Sequence, residues 1–195
     1  MNFVGRGGHK LQHALSTFSI NPAGWTCADL GCNVGGFTDC LLQLGASRIF
    51  AVDTGYGALA WKLRNDPRIV VMERTNALHA PPPEPVDLVV VDLGWTPQRH
   101  ALPAARAWLK PSGCIISLIK PHYEVPRQAS RELLRNGVLD EAEAQRTADR
   151  VLAEIPELGF DVRAATRSPI AGGASKGNKH GNAEWLALLY PRAGA

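Results

Sequence analysis

Short apolar runs alternate with amphipathic stretches along most of the chain. Thr26 to Leu30, Arg48 to Val52, Ile69 to Met72, Val86 to Leu93 and Cys114 to Ile119 read as strands. Leu88-Val89-Val90-Val91 is apolar without alternation, the pattern of a parallel strand covered on both faces. Leu11, Leu15 and Phe18 fall at helical spacing and predict a helix over residues 9–18. Further helices are expected over Phe37 to Leu44, closed by Gly45, and over Ala101 to Leu109. Leu59 to Arg64 supplies a turn or two, and Arg127 to Asn136 a helix ended by Gly137. A long amphipathic helix runs from Asp140 to Leu158 and breaks near Pro156. Asp161 to Arg167 and Glu184 to Tyr190 form a last pair of strands. The segment between them, Ala171 to Asn182, is rich in Gly, Lys and Asn and is expected to be mobile. Strands alternating with helices predict a doubly wound α/β sheet. The closing pair, joined by a loop, predicts an antiparallel edge. No repeat or second domain is visible in residues 1–195, and the chain is expected to form one domain.

The first strand leads into Asp29-Leu30-Gly31-Cys32-Asn33-Val34-Gly35-Gly36-Phe37-Thr38-Asp39, a glycine turn that opens a helix. Residues without a Cβ let backbone approach a ligand, some at positive φ. Asp53 closes the second strand, where its carboxylate can accept hydrogen bonds from two ribose hydroxyls. The spacing fits neither the dinucleotide fingerprint G-x-G-x-x-G nor a phosphate loop ending in Gly-Lys-Ser/Thr. A nucleoside ligand without pyrophosphate fits better, with S-adenosylmethionine the leading candidate. An ordinary βαβ turn with no ligand is the alternative.

Composition narrows the class. No apolar run reaches the ~18–20 residues that span a bilayer, and the N-terminus has no signal core. Cys27, Cys32, Cys40 and Cys114 form no C-x-x-C pair, which predicts reduced core thiols in a cytoplasmic protein and no metal site. The net charge of +3 permits a nucleic-acid partner without demanding one. Clusters say more than the total. Arg6, His9 and Lys10 sit together, as do Lys62, Arg64, Arg68 and Arg74; Lys176, Lys179 and His180 lie in the glycine-rich segment. Arg127, Arg131 and Arg135 recur every four residues, the spacing of one helical face. Each cluster also fits a merely solvated surface.

Ligands of open α/β sheets bind outside the carboxyl ends of the strands. Asp29, Asp53, Asp92 and Lys120 end four of them. A lysine following Cys114 to Ile119 and preceding Pro121 is expected to be partly buried. It can act as a base in its neutral form or as a positive anchor. A strand-end lysine that extends to water is the ordinary alternative.

Arg6-Gly7-Gly8-His9-Lys10-Leu11, the glycine turn, Ala51-Val52-Asp53-Thr54-Gly55-Tyr56-Gly57, Glu73-Arg74-Thr75-Asn76, Val90-Val91-Asp92-Leu93 and Ile119-Lys120-Pro121 occur in this order. Together they resemble the FtsJ-like ribosomal RNA 2′-O-methyltransferases, most closely the TlyA (hemolysin A) branch. The resemblance runs from about Arg6 to Tyr190. It implies a Rossmann-like fold with a mostly parallel seven-stranded sheet, an antiparallel edge strand and helices on both faces. It also implies a Lys-Asp-Lys-Glu tetrad of Lys10, Asp92, Lys120 and Glu184. Taken alone, Lys10 fits a surface lysine on a helix and Glu184 an edge-strand acid. S-adenosylmethionine is implied at Asp29, Gly31, Asn33, Gly35, Gly36 and Phe37, with Asp53 on the ribose, Thr75 and Asn76 near the adenine, and Asp92 bordering cofactor and catalytic centre. The implied reaction is methyl transfer to a ribose 2′-hydroxyl. Lys120 would accept or steer the proton, its ammonium pKa lowered partly by Lys10; Asp92 would orient Lys120, and Glu184 would hold Lys10 or the ribose. The expected partner is ribosomal RNA or a ribosomal subunit, with oligomeric state open.

The chain departs from the pattern in two places. The TlyA branch carries an N-terminal S4-type RNA-binding domain, which this chain, beginning close to the first motif, is expected to lack. Cys32-Asn33-Val34 stands where small residues, Ser, Thr or Pro are more usual. The segment 172–181 looks longer than usual and is expected either to clamp RNA or to serve as a linker. Three other readings compete: a non-RNA acceptor, a catalytically silent RNA-binding relative, and a pore former. The last needs a membrane-inserting segment, and none stands out.

Overall fold

The computed structural model describes residues 1–173 and 181–192. Its centre is a seven-stranded sheet made of β1 (Thr26–Leu30), β2 (Arg48–Val52), β3 (Ile69–Met72), β4 (Val86–Val91), β5 (Leu109–Ile119), β6 (Phe160–Arg167) and β7 (Trp185–Pro191). The strand order is β3-β2-β1-β4-β5-β7-β6. β1 pairs in parallel with both β2 and β4, and β4 with β5. β7 runs antiparallel to both its neighbours, β5 and β6, so the closing pair occupies the edge as expected. The order reverses between β1 and β4, and such a switch point opens a crevice at the strand ends.

Seven helices flank the sheet among the described residues: α1 (Gly7–Thr17), α2 (Gly36–Gln43), α3 (Trp61–Arg64), α4 (Gln98–Arg106), α5 (Pro121–Glu124), α6 (Arg127–Leu133) and α7 (Glu141–Glu154). A 3-10 turn, Ile155–Leu158, follows α7 around Pro156. The unbroken apolar run in β4 is divided between two cores. Val89 and Val91 pack on one face with Phe50, Trp108 and Phe160. Leu88 and Val90 pack on the other with Leu11, Leu41 and Leu63. Alternation persists in three dimensions, but with both faces covered it carries no polar signature.

α1 reaches the sheet by lying directly on α2. A Cβ at Gly36 would meet the Gly8 nitrogen at 3.0 Å and the Gly7 Cα at 3.1 Å. The segment before α1 is tied down by the buried Asp39, which accepts from the Val4 backbone N–H at 2.8 Å. This packing presses Lys10 inward, and it is buried.

Several expectations shift. The helix expected over 101–109 begins earlier, at Gln98, because the Glu124 carboxylate accepts from the Gln98 N–H at 2.8 Å and caps the helix from a distance. β5 begins at Leu109 rather than Cys114 and continues through Pro111 and Gly113. α6 stops at Leu133, so Arg135 lies beyond the helix and pairs its backbone with Val138 instead. The basic cluster after β2 is largely neutralised: Lys62 pairs with Asp39, Arg64 with Glu73 and Arg68 with Asp66. Lys176, Lys179, His180 and most of the glycine-rich segment lie outside the described residues. All four cysteines are buried and unbridged, and burial pushes each thiol up, Cys114 to about 11.

Gly36→Ala inserts a methyl group against fixed backbone, and urea unfolding should report a loss of about 1–3 kcal/mol. An unchanged midpoint would mean that α1 and α2 separate freely.

Candidate active site

A cleft of about 580 Å³ opens at the carboxyl ends of β1, β2, β4 and β5, a volume typical of small-molecule sites. The turn after β1 is drawn toward β2, since Gly31 and Cys32 both donate their N–H to the Val52 carbonyl, at 2.9 and 3.1 Å. Gly31 has φ of +94°, and a Cβ there would stand 2.6 Å from the Asp92 carbonyl oxygen. Only glycine lets the ends of β1 and β4 approach this closely. Asn33 continues the turn at φ of +48° and donates its N–H to Asp53 Oδ2 at 2.9 Å. Gly55 N–H donates to Asp53 Oδ1 at 2.7 Å. The carboxylate is thus fixed at the cleft wall, with further acceptor capacity for hydroxyl groups. Thr75 N–H donates to the Asp53 carbonyl at 2.9 Å, which places Thr75 and Asn76 on the same wall.

Across the switch point, Lys120 Nζ meets Asp92 Oδ1 at 2.5 Å and donates to the Leu93 carbonyl at 3.2 Å. β4 and β5 are neighbours in register, so their ends bring the two residues together. Lys10 on α1 pairs with Glu184, which immediately precedes β7. Gly172 makes room for this second pair, because a Cβ there would stand 2.5 Å from Glu184 Oε1. All four side chains line the one cleft.

Their fields overlap. Burial, then the Lys120 and Lys10 ammonium groups, push the His122 imidazole down to about 4. Both cations therefore act on one ring, and His122 is neutral at physiological pH. Burial pushes the Glu184 carboxyl above its usual range; Lys10 and Lys120 oppose this and Asp92 adds to it.

The expected cofactor residues divide into two groups. Gly31, Asn33, Asp53, Thr75, Asn76 and Asp92 line the cleft. Asp29, Gly35, Gly36 and Phe37 do not; they stand behind its wall. Gly35, at φ of +96°, packs against Leu59 and Leu63, while Gly36 and Phe37 pack against α1. Asp29 was expected at a strand end but lies within β1, fully buried between Ala51 and Val90. Its Oδ2 accepts from the Thr38 hydroxyl at 2.6 Å, and its Oδ1 has no partner. Burial pushes this carboxyl up to about 7, against the pull of the Thr38 bond.

Trp95, His122 and Tyr123 also line the cleft and were missed in the sequence. Trp95 has φ of +59°, uncommon for a bulky residue, and is 84% exposed. Its ring lies 4.9 Å from that of Tyr123. The only sequence signal was an aromatic residue next to Gly94, just beyond the fourth strand.

A doubly wound sheet with a glycine turn, a carboxylate anchored at the end of β2 and a charged centre at the switch point has the architecture of a Rossmann-like methyltransferase. The FtsJ-like methyltransferase model matches residues 3–178, and the chain belongs to that family. It is 39% identical to the 16S/23S rRNA (cytidine-2′-O)-methyltransferase TlyA of Mycobacterium tuberculosis, over 98% of this chain and 70% of that protein. It is 32% identical to the Hemolysin A of Brachyspira hyodysenteriae, over 96% and 76% of the two chains. A solved structure described as a hemolysin of Streptococcus thermophilus superposes with a TM-score of 0.88 at 34% identity, covering 99% of this chain and 68% of that one. The protein is a methyltransferase whose cofactor is S-adenosylmethionine. Among the described residues no helix is long and apolar enough to cross a membrane, and no group of His, Cys, Asp and Glu could hold a metal ion.

The Asp29 carboxyl carries a pH signature. Its folded-state pKa of about 7 lies above the 3.8 of an unperturbed aspartate. The unfolded chain therefore binds fewer protons between these values, and this group lowers stability as pH rises from about 4 through about 7. Asp29→Asn should remove that slope, gaining on the wild type by up to about 4 kcal/mol between pH 4 and 8 in urea unfolding. Parallel stability–pH curves would contradict the assignment.

Proposed function

We propose that the protein transfers a methyl group from S-adenosylmethionine to a ribose 2′-hydroxyl of ribosomal RNA, with Lys10, Asp92, Lys120 and Glu184 as its catalytic centre. The observation that carries this reading is the convergence of the Asp92–Lys120 and Lys10–Glu184 pairs on one cleft. The relatives support the acceptor class, since TlyA of Mycobacterium tuberculosis is named for 2′-O-methylation of rRNA cytidine.

When bound, S-adenosylmethionine supplies an electrophilic methyl carbon on a sulfonium. Asp53 would accept hydrogen bonds from the ribose hydroxyls of that cofactor, Gly31 and Asn33 would give it a backbone floor, and Thr75 and Asn76 would border its base. The acceptor hydroxyl is a poor nucleophile while it keeps its proton. Lys120 draws that proton. Lys120 is held for this at the cleft wall by its ion pair with Asp92 and its hydrogen bond to the Leu93 carbonyl. Asp92 fixes Lys120 in line, and the resulting ammonium is then countered by the same carboxylate. Lys10, held by Glu184, supplies a second positive charge for the developing alkoxide. Alignment of the oxygen with the methyl carbon supplies much of the remaining acceleration.

Labelled methyl transfer to ribosomal RNA lacking this modification tests the reading. The wild type should transfer label. Lys120→Ala should lose about 10²–10⁴-fold in kcat, with cofactor affinity nearly unchanged. Full activity in the variant removes Lys120 from the mechanism. A wild type that binds cofactor but transfers nothing to naked RNA or ribosomal subunits defeats the RNA reading.

A further inference from the structure

A second cavity, about 610 Å³, adjoins the cleft. Trp95, His122, Tyr123 and Gly173 border both spaces and form a shared wall. Beyond that wall the cavity is lined by apolar Val125, Leu134 and Val138. Its amide and hydroxyl side chains are already engaged, while the buried His122 Nδ1 on the shared wall has no partner. The Asn182 amide accepts from the Leu139 N–H at 3.0 Å and donates to the Gly137 carbonyl at 2.9 Å. The Ser130 hydroxyl donates to the Pro126 carbonyl at 3.0 Å. Such an interior offers stacking and shape to a flat ring and few free donors.

The residues next in sequence to this lining differ in character. Arg131 and Arg135 directly follow the lining residues Ser130 and Leu134 and are exposed. Neither has an acidic partner among the described residues, whereas the arginines after β2 at positions 64 and 68 are neutralised by Glu73 and Asp66. An apolar, aromatic hollow whose lining residues Ser130 and Leu134 are each followed by an exposed arginine matches a nucleotide, base inward and phosphates outward. The neutral His122 ring keeps the shared wall free of charge.

Resting on the RNA reading above, we infer that the second cavity receives the unstacked nucleobase of the nucleotide next to the acceptor, with Arg131 and Arg135 on its flanking phosphates. The acceptor ribose has to reach Lys120 within the cleft. A strand continuing over the Trp95–Tyr123 wall brings its neighbouring nucleotide to the second cavity. Surface stacked on Tyr123 and the apolar lining replaces the stacking that the base gives up on leaving its strand.

The test uses naked ribosomal RNA from cells lacking this enzyme, wild type beside two variants. Arg131→Gln with Arg135→Gln touches only exposed side chains. It should raise the KM for RNA and make the dependence of log KM on log salt shallower by about 1.4, for two phosphates at about 0.7 each. Val138→Trp fills the cavity and should raise that KM about tenfold, a typical loss for one stacked base, with kcat and cofactor affinity unchanged. On an oligonucleotide cut from the mapped site, an abasic neighbour should raise KM in the wild type and add nothing in Val138→Trp. Unchanged KM in both variants overturns the inference, as does an abasic effect that adds in full to the filled cavity. A Val138→Trp effect seen only on assembled subunits also overturns it, and points to a protein side chain as occupant. A wild type inactive on every RNA defeats the underlying RNA reading instead, whatever the variants do.

Discussion

The Asp92–Lys120 ion pair joins the ends of two neighbouring parallel strands, and the site is arranged around it. Neither residue could be held so closely from a flexible loop. The pair exists because β4 and β5 run side by side in the centre of the sheet and stop at nearly the same level. Strand order supplies the crevice in front of it, since the chain leaves β1 toward β2 on one side and β4 toward β5 on the other. Gly31, with no Cβ, lets the crevice floor approach Asp92. Even the α1–α2 packing serves the pair, because the close glycine contact delivers Lys10 to the same space.

Two cations and two carboxylates share this space, with Lys120 13% and Glu184 3% exposed at the side chain. Removing one partner would leave a charge uncompensated in a poorly solvated site, which is far more costly than losing a surface pair. That is a reason for the pairs to occur as two matched sets. Burial and the same two ammonium groups also hold His122, two positions after Lys120, in its neutral form. The arrangement concentrates positive charge where the proposed reaction would develop an alkoxide, and the carboxylates keep that charge oriented.

The seven strands and the glycine turn were legible because each is a local pattern: a short apolar run, a glycine pair, an acid at a strand end. Asp92 and Lys120 were legible as polar residues at strand ends, but Lys10 and Glu184 carry no local signal and were legible only through the ordered motifs that resemble a family. What escaped depends on distant partners. α4 starts at Gln98 because Glu124, 26 positions later, caps it. β5 extends over Lys110 and Pro111 because Val86 pairs with Leu109. Asp29 resembled a ligand-facing acid, but its register with Ala51 and Val90 buries it inside the sheet. The basic cluster after β2 fitted a solvated surface as well as a nucleic-acid contact, and Asp39, Asp66 and Glu73 take most of its charge. Trp95 was invisible as a site residue because its exposure follows from a positive φ that its sequence neighbours do not announce.

The most direct test of the central claim is the chemical position of the transferred methyl group. Unmodified ribosomal RNA would be incubated with the wild-type protein and labelled S-adenosylmethionine, then hydrolysed in alkali. A ribose 2′-O-methyl group blocks cleavage of its own phosphodiester, so the account predicts label in alkali-resistant dinucleotides. Label released as a methylated mononucleotide would place the methyl on a base, and the reading of this cleft as a ribose 2′-hydroxyl site would be wrong.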